Sequence, residues 1–298
     1  MQVGLVGLGT MGLNMAQNLL DKDHEVLGYD VSSEVRINAQ EKNIEVYDSQ
    51  EKLVEALGEN KIILLSTPAG KITDMVIEEL SELMNSDDIL IDTGNSYYKD
   101  SIKNYEKLKK QSIHFLDCGT SGGMEGSRYG ACLMVGGEEK IFKKVEGIFR
   151  NIATENGYLY TGEPGSGHYV KMVHNGIEYG MMQAIGEGFE ILNASDYDLD
   201  AEKVADVWSH GSVIRSWLME LTRDLFAEDA NLEEIKGVIG SSGTGKWTLE
   251  EALDLKVPTP VISASVNVRY QSEIADSYSA RVVAGLRHGF GGHAVVEK

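Results

Sequence analysis

The sequence predicts an α/β domain with a parallel sheet over residues 1–163, followed by an all-α domain over residues 164–298. Three observations carry this expectation. Short apolar runs of strand length alternate with amphipathic stretches of helix length through the first half. A glycine-rich turn stands where the first apolar run meets the first helix. Beyond Pro164 the apolar residues recur at helical spacing. A chain of 298 residues has room for both domains, and 42% hydrophobic against 25% charged residues is the balance of an ordinary folded chain.

Gln2 to Val6 reads as a short buried strand and Met11 to Leu20 as an amphipathic helix. Between them Gly7, Leu8, Gly9, Thr10, Met11 and Gly12 form a G-x-G-x-x-G in strand-to-helix context. Gly7 permits the tight turn, Gly9 lets backbone approach a pyrophosphate, and Gly12 lets the helix pack closely. The free N–H groups at the helix start attract the anion. The first domain is therefore expected to be Rossmann-type. The second strand, residues 25–30, ends in Asp30, where a carboxylate accepts hydrogen bonds from ribose hydroxyls and repels a 2′-phosphate. That points to NAD over NADP. The alternative is that Asp30 only caps the helix from Ser33.

Alternation continues with a strand at residues 61–66 and a loop at its carboxyl end carrying Thr67. Another strand, residues 88–92, leads into Thr93-Gly-Asn-Ser96. Ligands bind at the carboxyl ends of parallel strands, which makes Thr67 and Asn95 site candidates, although an Asn after Gly also suits a plain turn. A strand at residues 113–117 leads into the loop Cys118-Gly-Thr-Ser-Gly-Gly123. There Ser121, Gly122 and Gly123 offer a hydroxyl and successive N–H groups to a carboxylate.

Residues 167–179 form the densest cluster of reactive side chains. At 100° per residue Lys171, His174, Asn175 and Glu178 share one helical face, with Tyr179 at its edge, while Ile177, Met181 and Ile185 can face a core. An amine, an imidazole, an amide and a carboxylate side by side suit the lining of a cleft; a solvated face is the alternative. Gly176, Gly180, Gly186 and Gly188 each cost a helix about 1 kcal/mol relative to Ala, so a backbone or ligand is expected to come close.

A formal charge of -20 argues against nucleic acid or an anionic membrane as partner. An anionic substrate would need a local cluster of Arg, Lys and His. No apolar run approaches a membrane span, and the chain opens on a strand, so no signal peptide is expected. Cys118 and Cys132 have neither disulfide nor zinc spacing and read as small buried hydrophobes in a reducing cytoplasm. No metal site is expected.

In the second half a helix of nearly 30 residues is expected from about Gly165 to Asn193. Further helices are expected within 200–210, 214–228, 248–256 and 260–287. Trp208, Trp217 and Trp247 read as core or interface anchors, and Met181 with Met182 as core packing. Gly240-Ser-Ser-Gly-Thr-Gly-Lys246 fails to complete G-x-x-x-x-G-K-[ST] and is discounted as a phosphate loop; Lys246 either supports the site or is solvated. Arg269 by itself reads as an ion-pair partner. The tail from Gly285 to His293 reads as too glycine-rich for a helix, yet its Arg and His make an anion clamp credible against the acidic background.

The fingerprint at Gly7–Gly12 combines with Asp92-Thr-Gly-Asn-Ser96, Gly119-Thr-Ser-Gly-Gly123, Lys171-x-x-His-Asn-Gly-Ile-Glu-Tyr179 and Gly243-Thr-Gly-Lys-Trp247. Together they resemble the 6-phosphogluconate dehydrogenases, more narrowly the short, NAD-linked branch within the β-hydroxyacid dehydrogenases. The resemblance runs from Gly4 to His293. It implies Lys171 as general base and Glu178 as general acid, with Asn95, Ser121, Gly122, Gly123, His174 and Asn175 on the sugar acid. Tyr179 and Arg269 would hold its phosphate. Arg287 and His293, from the tail of a neighbouring subunit, would close the site in a homodimer or homotetramer.

The implied reaction is oxidative decarboxylation of 6-phosphogluconate to ribulose 5-phosphate and CO₂. A lysine with an ordinary pKa of about 10.4 must be brought toward roughly 7–8 to act as its base. Three departures from the family pattern stand out. The Asn-Arg pair that grips an NADP phosphate is replaced by Tyr29-Asp30-Val31. Ser242 stands where a phosphate-binding Lys precedes Gly-Thr-Gly-Lys-Trp, which puts phosphate recognition in question. The duplicated helical half of the long forms is lacking. Two other readings stay open: a dehydrogenase for a smaller 3-hydroxy acid, and a non-enzymatic NAD-sensing protein.

Overall fold

The computed structural model describes residues 1–241 and 243–296; Ser242 lies outside the described residues. The first half alternates as expected. It runs β1 (Gln2–Val6), α1 (Thr10–Leu20), β2 (Glu25–Tyr29), α2 (Ser33–Glu41), β3 (Glu45–Tyr47), α3 (Gln50–Ala56), β4 (Ile62–Leu65) and α4 (Lys71–Leu83). Then follow β5 (Ile89–Asp92), α5 (Tyr98–Lys109), β6 (His114–Ser121), α6 (Gly123–Tyr129), β7 (Ala131–Gly137), α7 (Glu139–Ile152) and β8 (Ala153–Gly162).

The strands form one sheet in the order β3-β2-β1-β4-β5-β6-β7-β8. All neighbours are parallel except β6 and β7. The order reverses between β1 and β4, the switch point at which such sheets open a ligand crevice. Side chains of β4 show how both faces are covered: Ile62 and Leu64 join one apolar cluster, Ile63 and Leu65 the other. Each such burial contributes roughly 1.5–3 kcal/mol. On α7 Ile141, Phe142, Val145, Ile148, Phe149 and Ile152 are buried at helical spacing against the first cluster.

The apolar run ending at Asp117 continues in the sheet to Ser121, so the expected loop at residues 118–123 is mostly strand. Its partner there is β7, with Ser121 paired to Cys132. Cys118 is buried but Cys132 is exposed, correcting the expectation that both are core residues.

Contacts divide the chain into residues 1–174 and 175–298, within the long helix α8 (Ser166–Asn193). The second unit continues with α9 (Ala201–Ser209), α10 (Trp217–Glu228), α11 (Thr244–Asp254), α12 (Pro260–Ser272) and α13 (Tyr278–Gly291). Side chains of Asp200, Ser216 and Ser277 cap α9, α10 and α13. Phe189, Ala205 and Met219 form its buried cluster, with Trp208 against Phe189. Ile177 and Met181 on α8 are exposed rather than core, and Trp217 on α10 is exposed, so of its two readings the interface anchor is the one left open.

The tail is the clearest correction. Residues 285–291 are helical as the end of α13, despite Gly285 and Gly289. Ser277 caps the start, and the ordinary helical stretch before Gly285 supplies the nucleus that glycines alone lack. Gly292, at φ 63, ends the helix in the left-handed conformation glycine tolerates. No helix among the described residues is long and apolar enough to cross a membrane.

Candidate active site

At the switch point the glycine turn is built as its spacing requires. Gly7 has φ 93, and a side chain there would strike the Ser66 carbonyl. Gly12 has the Gly7 carbonyl where its Cβ would lie, whereas Gly9 faces nothing within 4 Å. The first glycine thus serves the turn, the third serves packing, and the middle one leaves room for a ligand. No side chain caps α1, whose first N–H groups suit an anion. Leu8 is buried and Thr10 exposed beside the turn, with Met11 half-buried.

Asp30 follows β2 and accepts from Leu8 N–H at 2.8 Å and Ser32 N–H at 2.9 Å. The α2 cap is Ser32, which accepts from Val35 N–H. The capping alternative for Asp30 is therefore set aside. The carboxylate is fixed by two backbone donors, and each oxygen retains a lone pair for a ribose hydroxyl. A dinucleotide fits these residues.

Beyond β4 the Thr67 hydroxyl lies 2.9 Å from that of Thr73. Beyond β5, buried Asp92 accepts from Gly94 N–H at 2.9 Å and the Ser96 hydroxyl at 2.7 Å, shaping the loop on which Asn95 is exposed. Gly122 and Gly123 have φ 115 and 59, and Gly122 caps α6.

Lys171 is only 7% exposed. Its backbone side is set by Gly119 of β6, where an added Cβ would overlap the Lys171 Cβ. Lys171 Nζ lies 3.4 Å from His174 Nδ1, and His174 Nε2 lies 3.2 Å from Ser121 Oγ. A lysine that donates to Nδ1 leaves the ring proton on Nε2, from which the serine oxygen accepts. Three residues from two separate motifs thus form one hydrogen-bonded chain. Asp92 and Asp117, the acids that hold this end of the sheet, were not singled out in the sequence; their signal is an acid closing an apolar run.

In the second unit, buried Asn175 and half-buried Glu178 continue along α8, and Tyr179 is 6% exposed. The Arg269 guanidinium lies 3.4 Å from the Tyr179 ring centroid and donates to the Gly240 carbonyl at 3.0 Å. Arg269 thus stacks as a cation on an aromatic ring within its own chain. A Cβ on Gly245 would come within 2.6 Å of the same ring. The glycines of α8 divide: Gly176 meets Thr248 and Gly180 meets Val261, while Gly186 and Gly188 meet nothing within 4 Å. What comes close to the first pair is a side chain of α11 or α12, not the backbone that was expected. α11 starts at Thr244, earlier than expected, with Gly243 in the left-handed conformation before it. Lys246 is exposed and pairs with Glu250 at 3.4 Å. Arg287 is exposed on α13, and the His293 carbonyl accepts from His288 Nδ1 at 2.8 Å.

Comparison with known proteins places both parts of the chain in one family. Residues 2–162 match the NAD-binding domain of 6-phosphogluconate dehydrogenase, and residues 167–288 match the 6-phosphogluconate dehydrogenase C-terminal domain. The Bacillus subtilis protein YqeC, provisionally assigned as a 6-phosphogluconate dehydrogenase, is 52% identical over 100% of both chains. A Haloferax volcanii enzyme named as an NAD(+)-dependent, decarboxylating 6-phosphogluconate dehydrogenase is 43% identical, over 100% of this chain and 99% of that one. Among solved structures, Plasmodium falciparum 6-phosphogluconate dehydrogenase superposes with a TM-score of 0.83 at 30% identity. That match covers 100% of this chain but 66% of the longer one. Both domain matches and the full-length likeness to short relatives lead to one conclusion: the chain belongs to the 6-phosphogluconate dehydrogenase family, in its short form.

Proposed function

We propose that this protein catalyses the NAD-dependent oxidative decarboxylation of 6-phosphogluconate to ribulose 5-phosphate and CO₂, with Lys171 as general base and Glu178 as general acid. The observation that carries the reading is the buried Lys171, held against Gly119 and hydrogen-bonded through His174 to Ser121. Burial disfavours the ammonium and so favours the neutral amine that a base must be.

NAD, held by Gly7 to Gly12 and Asp30, would supply the acceptor for the hydride that leaves C3 of the substrate. Lys171 takes the C3 hydroxyl proton, and its ammonium then polarises the new carbonyl. That polarisation draws the electron pair of the breaking carboxyl bond into an enediolate as CO₂ departs. Lys171 returns its proton to the oxygen; then, as Glu178, two turns along the same helix, protonates the terminal carbon of the enediol, Lys171 takes that hydroxyl proton back and the ketone forms. The proton removed at the start replaces the one delivered to carbon once Glu178 is recharged, so the balance closes without net acid.

Asn95, Ser121, Gly122, Gly123, His174 and Asn175 hold the sugar acid in this reading. Tyr179 and Arg269 hold its phosphate; their stacking supports a shared anion site. Gly7 to Gly12, Asp30, Thr67 and Asn95 hold the cofactor, and the two-donor anchoring of the Asp30 carboxylate supports NAD over NADP. Residues 1–163 carry the cofactor and the first four of those sugar-acid contacts; residues 164–298 carry the remaining substrate contacts and the oligomer interface. Val282, Leu286 and Phe290 lie exposed along one side of α13, which supports a homodimer or homotetramer closed by Arg287 and His293. Two free thiols suit a cytoplasmic enzyme.

Initial rates with 6-phosphogluconate and each nicotinamide cofactor, with CO₂ trapped, test the proposal. Stoichiometric CO₂ and a preference for NAD are expected. Oxidation of a smaller 3-hydroxy acid without CO₂ would replace it.

A further inference from the structure

We propose that Asp117 is a positioning residue for this reaction: from the sheet it supplies the N-terminal cap of α8 and thereby fixes Lys171. The inference rests on the reading of Lys171 as the base.

The residue before α8 is Gly165, with φ 90, and a Cβ there would come within 2.7 Å of Ile102. A side chain is therefore excluded at the position from which helices usually cap themselves. Asp117, fully buried in β6, performs both halves of a capping box from outside the helix. Its Oδ1 accepts from Gly165 N–H at 2.7 Å and its Oδ2 from His168 N–H at 2.9 Å. A carboxylate at this helix end also opposes the positive end of the helix dipole.

The same turn is pressed onto backbone. An added Cβ on Gly167 would overlap the carbonyls of Met134 and Asp117, and one on Gly136 would lie 2.7 Å from Gly167 N. Two residues beyond Asp117, Gly119 contacts Lys171 itself. The strand thus grips α8 in its first turn, at Gly165, Gly167 and His168, and again one turn later at Lys171. On the other side, Ser101 Oγ meets His168 Nδ1 at 2.7 Å, which anchors the turn without touching Lys171's neighbours in β6. An error of about 1 Å in a catalytic group can cost roughly hundredfold in rate, so such a grip has kinetic weight.

The test compares full-length Asp117→Asn with the parent enzyme. In that variant one backbone N–H faces an amide N–H₂ instead of an acceptor. Turnover per NADH-binding site should fall by roughly a hundredfold, with NADH affinity unchanged. The ascending limb of kcat/KM against pH, which reports the base, should move. Ser101→Ala should lower the melting temperature with turnover and limb unchanged. Unchanged turnover in Asp117→Asn overturns the inference. So does reduced turnover with the limb fixed, or an equal loss in Ser101→Ala. If the Asn variant does not fold, Asp117→Ser, which keeps one acceptor, is judged by the same readings. Lys171→Met separates the two levels: an active Lys171→Met removes the base, whereas an inactive one beside a normal Asp117→Asn removes only the positioning role.

Discussion

The sheet-bearing unit and the helical unit treat apolar surface differently. In the first, two clusters cover the two faces of the sheet, and residues such as Leu5, Ile63, Leu64 and Phe149 are fully buried. In the second, the buried cluster is Phe189, Ala205 and Met219, and α13 buries no residue at all. Trp217, Leu221 and Leu225 lie along one side of α10 and are exposed. A sheet with crossover helices on both faces closes its own core, whereas helices joined in sequence leave faces that a single chain does not cover. The difference fits the proposed function, in which the cofactor site is complete within one chain and assembly closes the substrate site.

The sharpest division is expected from Lys171→Met. Turnover should fall about a thousandfold or more while NAD affinity stays within about twofold, as stopped-flow hydride transfer and NADH fluorescence would show. Substantial residual turnover would remove the base assignment. Deletion from Gly285 onward should raise the dissociation constant for 6-phosphogluconate by roughly ten- to a hundredfold, the cost of losing charged hydrogen bonds, with little change for NAD. Calorimetric titration of both ligands checks it, and equal losses would erase the contrast between the units.

Leu286→Glu on α13 tests the uncovered face directly. Light scattering should report a smaller particle, while the NAD affinity of the sheet unit persists; unchanged mass would show that this face is not the interface. The smallest effect is electrostatic and lies wholly in the sheet unit. Burial, helped by the amino-terminal charge, holds the His24 imidazole below its ordinary pKa. The unfolded chain therefore takes up the proton first, so stability is full above about pH 6.5 and declines as pH falls through it toward the lower folded value. His24→Asn should flatten that limb of the melting temperature against pH, and an unaltered slope would assign the effect elsewhere.

Local chemistry made much of the site legible. The glycine turn, Asp30 at the end of a strand, and the 171-174-175-178 face are short-range patterns, and chain geometry converts them directly into position. The combination of motifs also identified the family, because five spaced signatures rarely coincide. The burial of Cys118 but not Cys132 was not legible, since both sit in apolar runs and only the strand register exposes the second. The tail was misread because glycine content weighs against a helix locally, while capping by Ser277 and an established helix before it decide the outcome.

By itself the sequence determined the alternation of strands and helices, the dinucleotide turn, and which residue types share a face of the long helix. These follow from periodicity and backbone sterics within a few residues. Only the tertiary structure decided that Asp117 caps a helix starting 49 positions later, at Ser166, that Ser121 meets His174, and that Arg269 stacks on Tyr179. Those contacts join residues far apart in the chain, and no local pattern records them: their geometry exists only after the sheet register and helix packing have brought the partners together.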